Sequence, residues 1–235
     1  MTIEQLKYEE ALLDKYVKLF YPKISKYKKP ILDGVTDVEK YLSSPYKICW
    51  VLKEPYDEKN GYGGGFDLRK AFRKETKMKN HDFGPTWSMV GCVSYSLLNN
   101  FISLEEIKEM ESRQYMQSLL QISFINISKM PSKTGAETKN KDLWEHYELW
   151  RPILHWQLIK YDPDVIIYGN TMDYFWDDLE LDKGKENDNK NGYFVIKNGK
   201  IHIWAYHPAQ RSIKDEEYFN GIINSVKIGI KRVKK

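Results

Sequence analysis

Cysteine is the scarcest resource in this 235-residue chain: only Cys49 and Cys92 occur. Two thiols exclude a disulfide scaffold and cannot by themselves ligate an iron–sulfur cluster. Cys49 lies inside an apolar run, where it is expected to act as a small buried hydrophobe. No apolar run reaches the length that spans a bilayer. The opening stretch MTIEQLKYEEALL is charged throughout, which excludes the pattern of a signal peptide. A soluble, cytoplasmic protein is expected. Excess charge is also scarce, at net +4, and much of it falls in KISKYKK and KIGIKRVKK near the extremities. That balance permits a phosphate-bearing partner without requiring one.

What the chain does have is 41% hydrophobic and 14% aromatic residues, enough for one domain with a substantial core. Four short runs rich in β-branched or aromatic residues read as strands: KICWVL (47–52), ISFINI (122–127), DVIIYG (164–169) and IHIWAY (201–206). Continuous apolar character, without alternation, is what a sheet covered on both faces requires. The capping patterns TIEQ, TDVE and SLEE place helix starts at Thr2, Thr36 and Ser103. Leu143, Tyr147, Trp150, Leu154 and Leu158 recur at a helical period between Lys141 and Tyr161. Asn198-Gly199 between two strand-like runs predicts a hairpin, and LDKGKENDNKNG (181–192) reads as a surface loop. The expected fold class is α/β: a three-layer α/β/α sandwich around a central, mostly parallel four-stranded sheet. Residues 1–235 form one domain, with 1–44 as an N-terminal helical extension.

In open parallel sheets ligands bind beyond the carboxyl ends of the strands. Here those ends carry Glu54, Pro55, Tyr56 and Asp57; then Asn126, Ser128 and Lys129; then Gly169, Asn170 and Thr171; then His207, Pro208, Gln210 and Arg211. A carboxylate, an amide, a histidine and an arginine thus converge on one rim. The first end runs on into four glycines and Phe66, in LKEPYDEKNGYGGGF.

LKEPYDEKNGYGGGF, FINISKMP, DPDVIIYGNT and YHPAQR, in that order and spacing, resemble the motif set of the uracil-DNA glycosylase superfamily. The middle of the chain is closest to its thermophile-type branch, whose four cluster-binding cysteines are missing here, while EPY is closer to the branch of the common cellular enzyme. The resemblance covers residues 45 to 225 and implies base flipping, then hydrolysis of the N-glycosidic bond through a cation-like sugar. It implies a monomer acting on single- or double-stranded DNA in base excision repair, with no cofactor and no metal. Glu54 stands at the water-positioning site, and Asn126 at the base-reading amide that pairs with uracil O4 and N3. His207 matches the histidine that stabilises the leaving base, and Phe66 the ring stacked on it. Tyr56 stands where a tyrosine blocks the thymine methyl. DNA contacts are expected from Arg211, Gln210, Thr86, Ser88 and Lys129. Arg211 replaces an apolar wedge, and Lys53 and Asp57 also depart from the usual residues around Pro55.

Each assignment has an ordinary alternative. Glu54 can be a surface acid paired with Lys53, Asn126 a turn former, Tyr56 a packed aromatic; His81, His146, His155 and His202 receive no special role. A phosphate-binding glycine loop competes for residues 61–66, but no Gly-Lys-Ser/Thr follows. At the level of function the competitor is a diverged member that binds nucleic acid, or acts on another modified base, with little uracil excision.

Overall fold

The computed structural model describes residues 1–20, 29–56, 63–78, 82–132, 140–181 and 193–234. All of the expected loop at 181–192 except Leu181, and with it Asp57, Gly61 and His81, lies outside the described residues. In chain order the first elements are α1 (Ile3–Phe20), β1 (Gly34–Val35), α2 (Val38–Ser43), β2 (Ile48–Leu52), α3 (Leu68–Glu75) and α4 (Gly84–Leu98). Next come α5 (Leu104–Lys108), α6 (Ser112–Met116), β3 (Ser123–Asn126), α7 (Asn140–Tyr161) and β4 (Val165–Gly169). The hairpin β5 (Tyr193–Lys197) and β6 (Lys200–Ala205) and the helix α8 (Asp215–Val233) complete the chain.

Two of the three expected helix starts are capped as their patterns imply. Thr2 and Gln5 exchange side-chain and backbone hydrogen bonds at 2.9 and 3.2 Å, and Ser103 forms a reciprocal capping box with Glu106. The third cap falls one residue later. Asp37 accepts the Lys40 N–H at 3.2 Å, while Thr36 is buried in the preceding turn, its carbonyl taking a hydrogen bond from Arg73.

The protein is an α/β fold, and its sheet has six strands in the order β1-β3-β2-β4-β6-β5. The four apolar runs form its centre, where β3, β2, β4 and β6 are mutually parallel. The expectation of a four-stranded sheet is corrected at both edges, where β1 and β5 pair antiparallel and make the sheet mixed. The β5–β6 turn has Asn198 and Gly199 at φ 52° and 74°, the left-handed pair that a two-residue hairpin needs. β1 escapes a pattern search because two residues show no period. Its Gly34 has φ 131°, and a Cβ there would collide with the Tyr161 hydroxyl and the Glu10 carboxylate.

Side chains alternate along each central strand. Ile48, Trp50 and Leu52 of β2 face a core with α4 and α8, through residues such as Val90, Val93, Phe219 and Ile222. Cys49 and Val51 face a second core with α1 and α7, through Leu6, Leu13, Trp150 and Leu154. Helices therefore cover both faces of the sheet. Of the first 44 residues, α1 packs along α7 and β1 extends the sheet. Among the described residues no helix is long and apolar enough to cross a membrane.

Candidate functional site

Parallel pairing brings the carboxyl ends of β2, β3, β4 and β6 to one edge. Leu52 is in register with Asn126, and pairing continues past the strands: the Ile127 N–H donates to Leu52 O, Ser128 N–H to Lys53 O and Ser132 N–H to Pro55 O, each at 2.9 Å. The peptide that carries Glu54 is thereby fixed beside the one that follows Asn126. On the other side of β2, the Thr171 hydroxyl donates to Val51 O at 2.8 Å. Asn170, at φ 61°, donates its N–H to Ala205 O at 2.7 Å. Gly169 allows the closest approach, since a Cβ there would lie 3.0 Å from Leu52 and 3.1 Å from Pro208.

The glycine run answers a packing need. Gly65 N–H donates to Pro30 O at 3.2 Å and Leu32 N–H to Phe66 O at 3.0 Å, so residues 64–67 run parallel beside 29–32. A Cβ at Gly64 would collide with the Lys29 carbonyl and approach the Pro131 ring at 3.3 Å. Phe66 is left 39% exposed and Tyr56 44% exposed, two accessible aromatic faces flanking the rim.

Asn126 is 2% exposed, and its amide is held by a residue that sequence reading missed. Asp33 Oδ2 accepts both the Asn126 backbone N–H at 2.8 Å and its Nδ2 at 3.2 Å. The same carboxylate pairs with the Lys129 ammonium at 2.7 Å and accepts Gln157 Nε2 at 2.9 Å. Gln157 continues to the Tyr161 hydroxyl at 3.1 Å. Beyond it, Glu10 of α1 meets Arg69, which also binds Asp14 at 2.6 Å and Asp67 at 2.8 Å. Asp67 directly follows Phe66 and caps α3 through the Arg69 N–H. One buried polar chain therefore supports both the amide and the segment that carries the aromatic ring. The only signal in the sequence is a lone acid directly after an apolar pair, Ile31-Leu32.

His207 follows β6. Burial first, and the charge of Lys53 second, pull its pKa down to about 4, so the imidazole is neutral at pH 7. The Ala209 N–H donates to its Nδ1 at 3.2 Å, which assigns the proton to Nε2. Glu54 is partly buried at the same edge. Its charge reaches Tyr174, whose hydroxyl is pushed up to about 12, by burial above all and then by Asp173 and Glu54.

The expected DNA contacts divide. Arg211 is exposed beside the rim. Lys129 is corrected: at 1% exposure, its ammonium points into the core and meets Asp33, because a buried cation needs a partner. Gln210 is half-buried, and its side chain braces its own turn. Its Oε1 accepts the Ser212 and Ile213 N–H groups at 2.6 and 2.9 Å, and its Nε2 donates to Ile213 O at 3.0 Å. Thr86 and Ser88 are partly buried in the first turns of α4. Trp87 between them anchors that turn against Phe72 and Phe124, with ring centroids 4.5 and 5.1 Å apart.

The residues present do not fit the iron–sulfur cluster of the thermophile-type branch. Cys49 and Cys92 are buried in opposite cores, and burial pushes their thiols up to about 12 and about 11. Among the described residues no three His, Cys, Asp or Glu side chains are grouped to hold a metal. Two open clefts lie elsewhere: about 470 Å³ beside Tyr46 and Phe101, and about 340 Å³ beside Arg151, His155 and Asp178. Neither includes a rim residue. No protein-family model and no curated protein matches the chain.

Proposed function

We propose that this chain is a monofunctional DNA glycosylase with a uracil-DNA glycosylase-like fold, which hydrolyses the N-glycosidic bond of uracil or a related damaged base and leaves an abasic site. The observation that carries the reading is the clamped Asn126 amide on the same rim as a carboxylate and a neutral histidine. A flipped base presents a hydrogen-bonding edge, which a held carboxamide reads with one acceptor and one donor. As the C1′–N1 bond breaks, the bonding pair leaves with the base as an anion. His207, neutral and protonated on Nε2, donates a hydrogen bond to that anion without transferring a proton, and the Lys53 charge beside it favours the same state. Glu54 stabilises the sugar cation and orients water, whose oxygen bonds to C1′ while its proton passes to the carboxylate and on to solvent.

A second reading has its own support. With the Lys129 ammonium turned inward and the Gln210 amide bonded within its own turn, the rim offers DNA fewer side chains than expected, which favours a member that binds nucleic acid with little excision. Base release from an oligonucleotide with one uracil, single-stranded or opposite G or A, separates the two. On the first reading wild type releases uracil, and Glu54→Gln and Asn126→Ala each lose on the order of 10²-fold or more. Salt-sensitive DNA binding without release from any substrate gives the second reading.

A further inference from the structure

The cleft at the amino ends of the central strands lies between the end of α4 and the turn into β2, and encloses about 470 Å³. Small-ligand pockets span roughly 300–1,000 Å³. Its walls include Tyr46, Leu97, Asn99, Asn100 and Phe101, and the residues that line it carry no ionised side chain. The loop after α4 is strained. Asn100 and Phe101 both have left-handed backbone, at φ 64° and 63°. The first is an ordinary helix stop, closed by the Phe101 N–H on Ser96 O at 2.8 Å. The second is not, because a bulky side chain seldom takes that conformation. The Ser96 hydroxyl, donating to Ile102 O at 2.7 Å, fixes the chain just beyond it. The Phe101 and Tyr46 rings then stand 6.4 Å apart at 45°. Rings that close admit no base between them, so a planar ligand stacks on their cleft side.

The polar groups around the cleft sort by kind. The Leu97 and Leu98 carbonyls end α4 and accept no hydrogen bond from the described residues, whereas Tyr95 O and Ser96 O both take the Asn99 N–H. Asn99 commits its Nδ2 to Tyr95 O at 2.9 Å and keeps Oδ1 as an acceptor. The exposed Asn100 amide has no partner among the described residues. Acceptors therefore dominate at the helix end. Beside Phe101 stands a cation: the Lys227 ammonium of α8, 5.2 Å from the ring centroid, half-buried and in no ion pair among the described residues. We infer that this cleft binds a free mononucleotide whose base carries an amino group. The base stacks on Tyr46 and Phe101, its N–H groups meet the helix-end carbonyls and Asn99 Oδ1, and its phosphate pairs with Lys227. The carbonyl end of a helix is partly negative, so it repels phosphate and takes the amino edge, which gives the ligand one orientation. This site stands apart from the rim and does not depend on the excision reading.

The test titrates adenosine 5′-monophosphate into the full chain while NMR follows the Asn100 side-chain amide and the Phe101 ring. Both signals are expected to shift and saturate. Lys227→Gln, shown folded by urea unfolding, should bind about tenfold more weakly or worse, the worth of one hydrogen bond to a charged group. Adenosine, which lacks the phosphate, should show a similar loss on wild type, a comparison that needs no variant to fold. Inosine 5′-monophosphate, equal in size but with a carbonyl in place of the amino group, should bind more weakly than the adenosine nucleotide. No saturable shift overturns the inference, as do shifts that appear at Phe66 and Asn126 instead. Equal binding of the two nucleotides overturns the amino-bearing base, and equal binding of nucleotide and adenosine overturns the phosphate contact. A DNA oligonucleotide that shifts the Asn100 and Phe101 signals where the free nucleotide does not would also overturn it, in favour of a strand-binding groove.

Discussion

The two ends of the central strands each hold lysine–aspartate pairs, and they hold them differently. At the amino ends, Lys47 binds Asp162 at 2.8 Å with side chains 24% and 60% exposed, and Lys200 meets the same carboxylate. At the carboxyl ends, Lys129 binds Asp33 at 2.7 Å with side chains 1% and 2% exposed. The distances are alike, and only the surroundings separate the pairs. In water such a pair gains little, because solvent screens it. In the core each ion has given up hydration, so each depends on the other and on further hydrogen bonds. Such an arrangement at a strand end fixes the geometry of what it touches, here the amide of Asn126.

The largest expected effect breaks the buried side of this comparison. Asp33→Ala leaves the Lys129 ammonium in the core without its counter-ion, and should cost about 3–5 kcal/mol in urea unfolding. A loss under about 1 kcal/mol would mean that the pair is solvated in practice.

Acid sharpens the comparison through two imidazoles: His202, buried within β6, and His207, partly buried beyond its carboxyl end. Burial, then Lys200, pulls His202 down to about 4, and burial, then Lys53, does the same for His207. Folded values below the unfolded one near 6.5 mean that the unfolded chain binds more protons in between. The stability from each is complete above pH 6.5 and is lost as pH falls through 4, on the order of 2 kcal/mol per imidazole. Urea midpoints measured from pH 7 to 4.5 should fall, and His202→Phe should flatten part of the fall. An undiminished slope in that variant would contradict the assignment.

The smallest effect belongs to the exposed side. Burial works against the Asp162 carboxylate, but hydrogen bonds from Lys200 and Lys47 outweigh it and hold its pKa below the usual value. Asp162→Ala should nevertheless change stability by less than about 1 kcal/mol, and high salt should erase the difference. A cost equal to that of Asp33→Ala would dissolve the contrast.

These contrasts also mark what was legible in the chain itself. The central strands announced themselves because strands covered on both faces are apolar without interruption, as in ICWVL and VIIYG. Asn198-Gly199 announced a hairpin because few other pairs adopt two left-handed conformations. Ser103 announced a cap because its partner is three residues away. Asp33 announced itself only as an acid after an apolar pair, since its partners Asn126, Lys129 and Gln157 are 93, 96 and 124 residues distant. Lys129 misled for the same reason: a lysine after a strand reads as a surface cation until its counter-ion is known. The bonds of the Gln210 amide within its own turn left no mark in the sequence, where it reads like any amide at a strand end.

The most direct test is a structure of the protein with single-stranded DNA bearing one 2′-fluorinated deoxyuridine, in which the fluorine disfavours the sugar cation and slows bond breakage. The account predicts the uracil unstacked from its neighbours, its N3–H and O4 on the Asn126 amide, its O2 on His207 Nε2 and its ring against Phe66. A uracil left in the strand, or DNA lying at the amino-end cleft beside Tyr46 and Phe101, would contradict it.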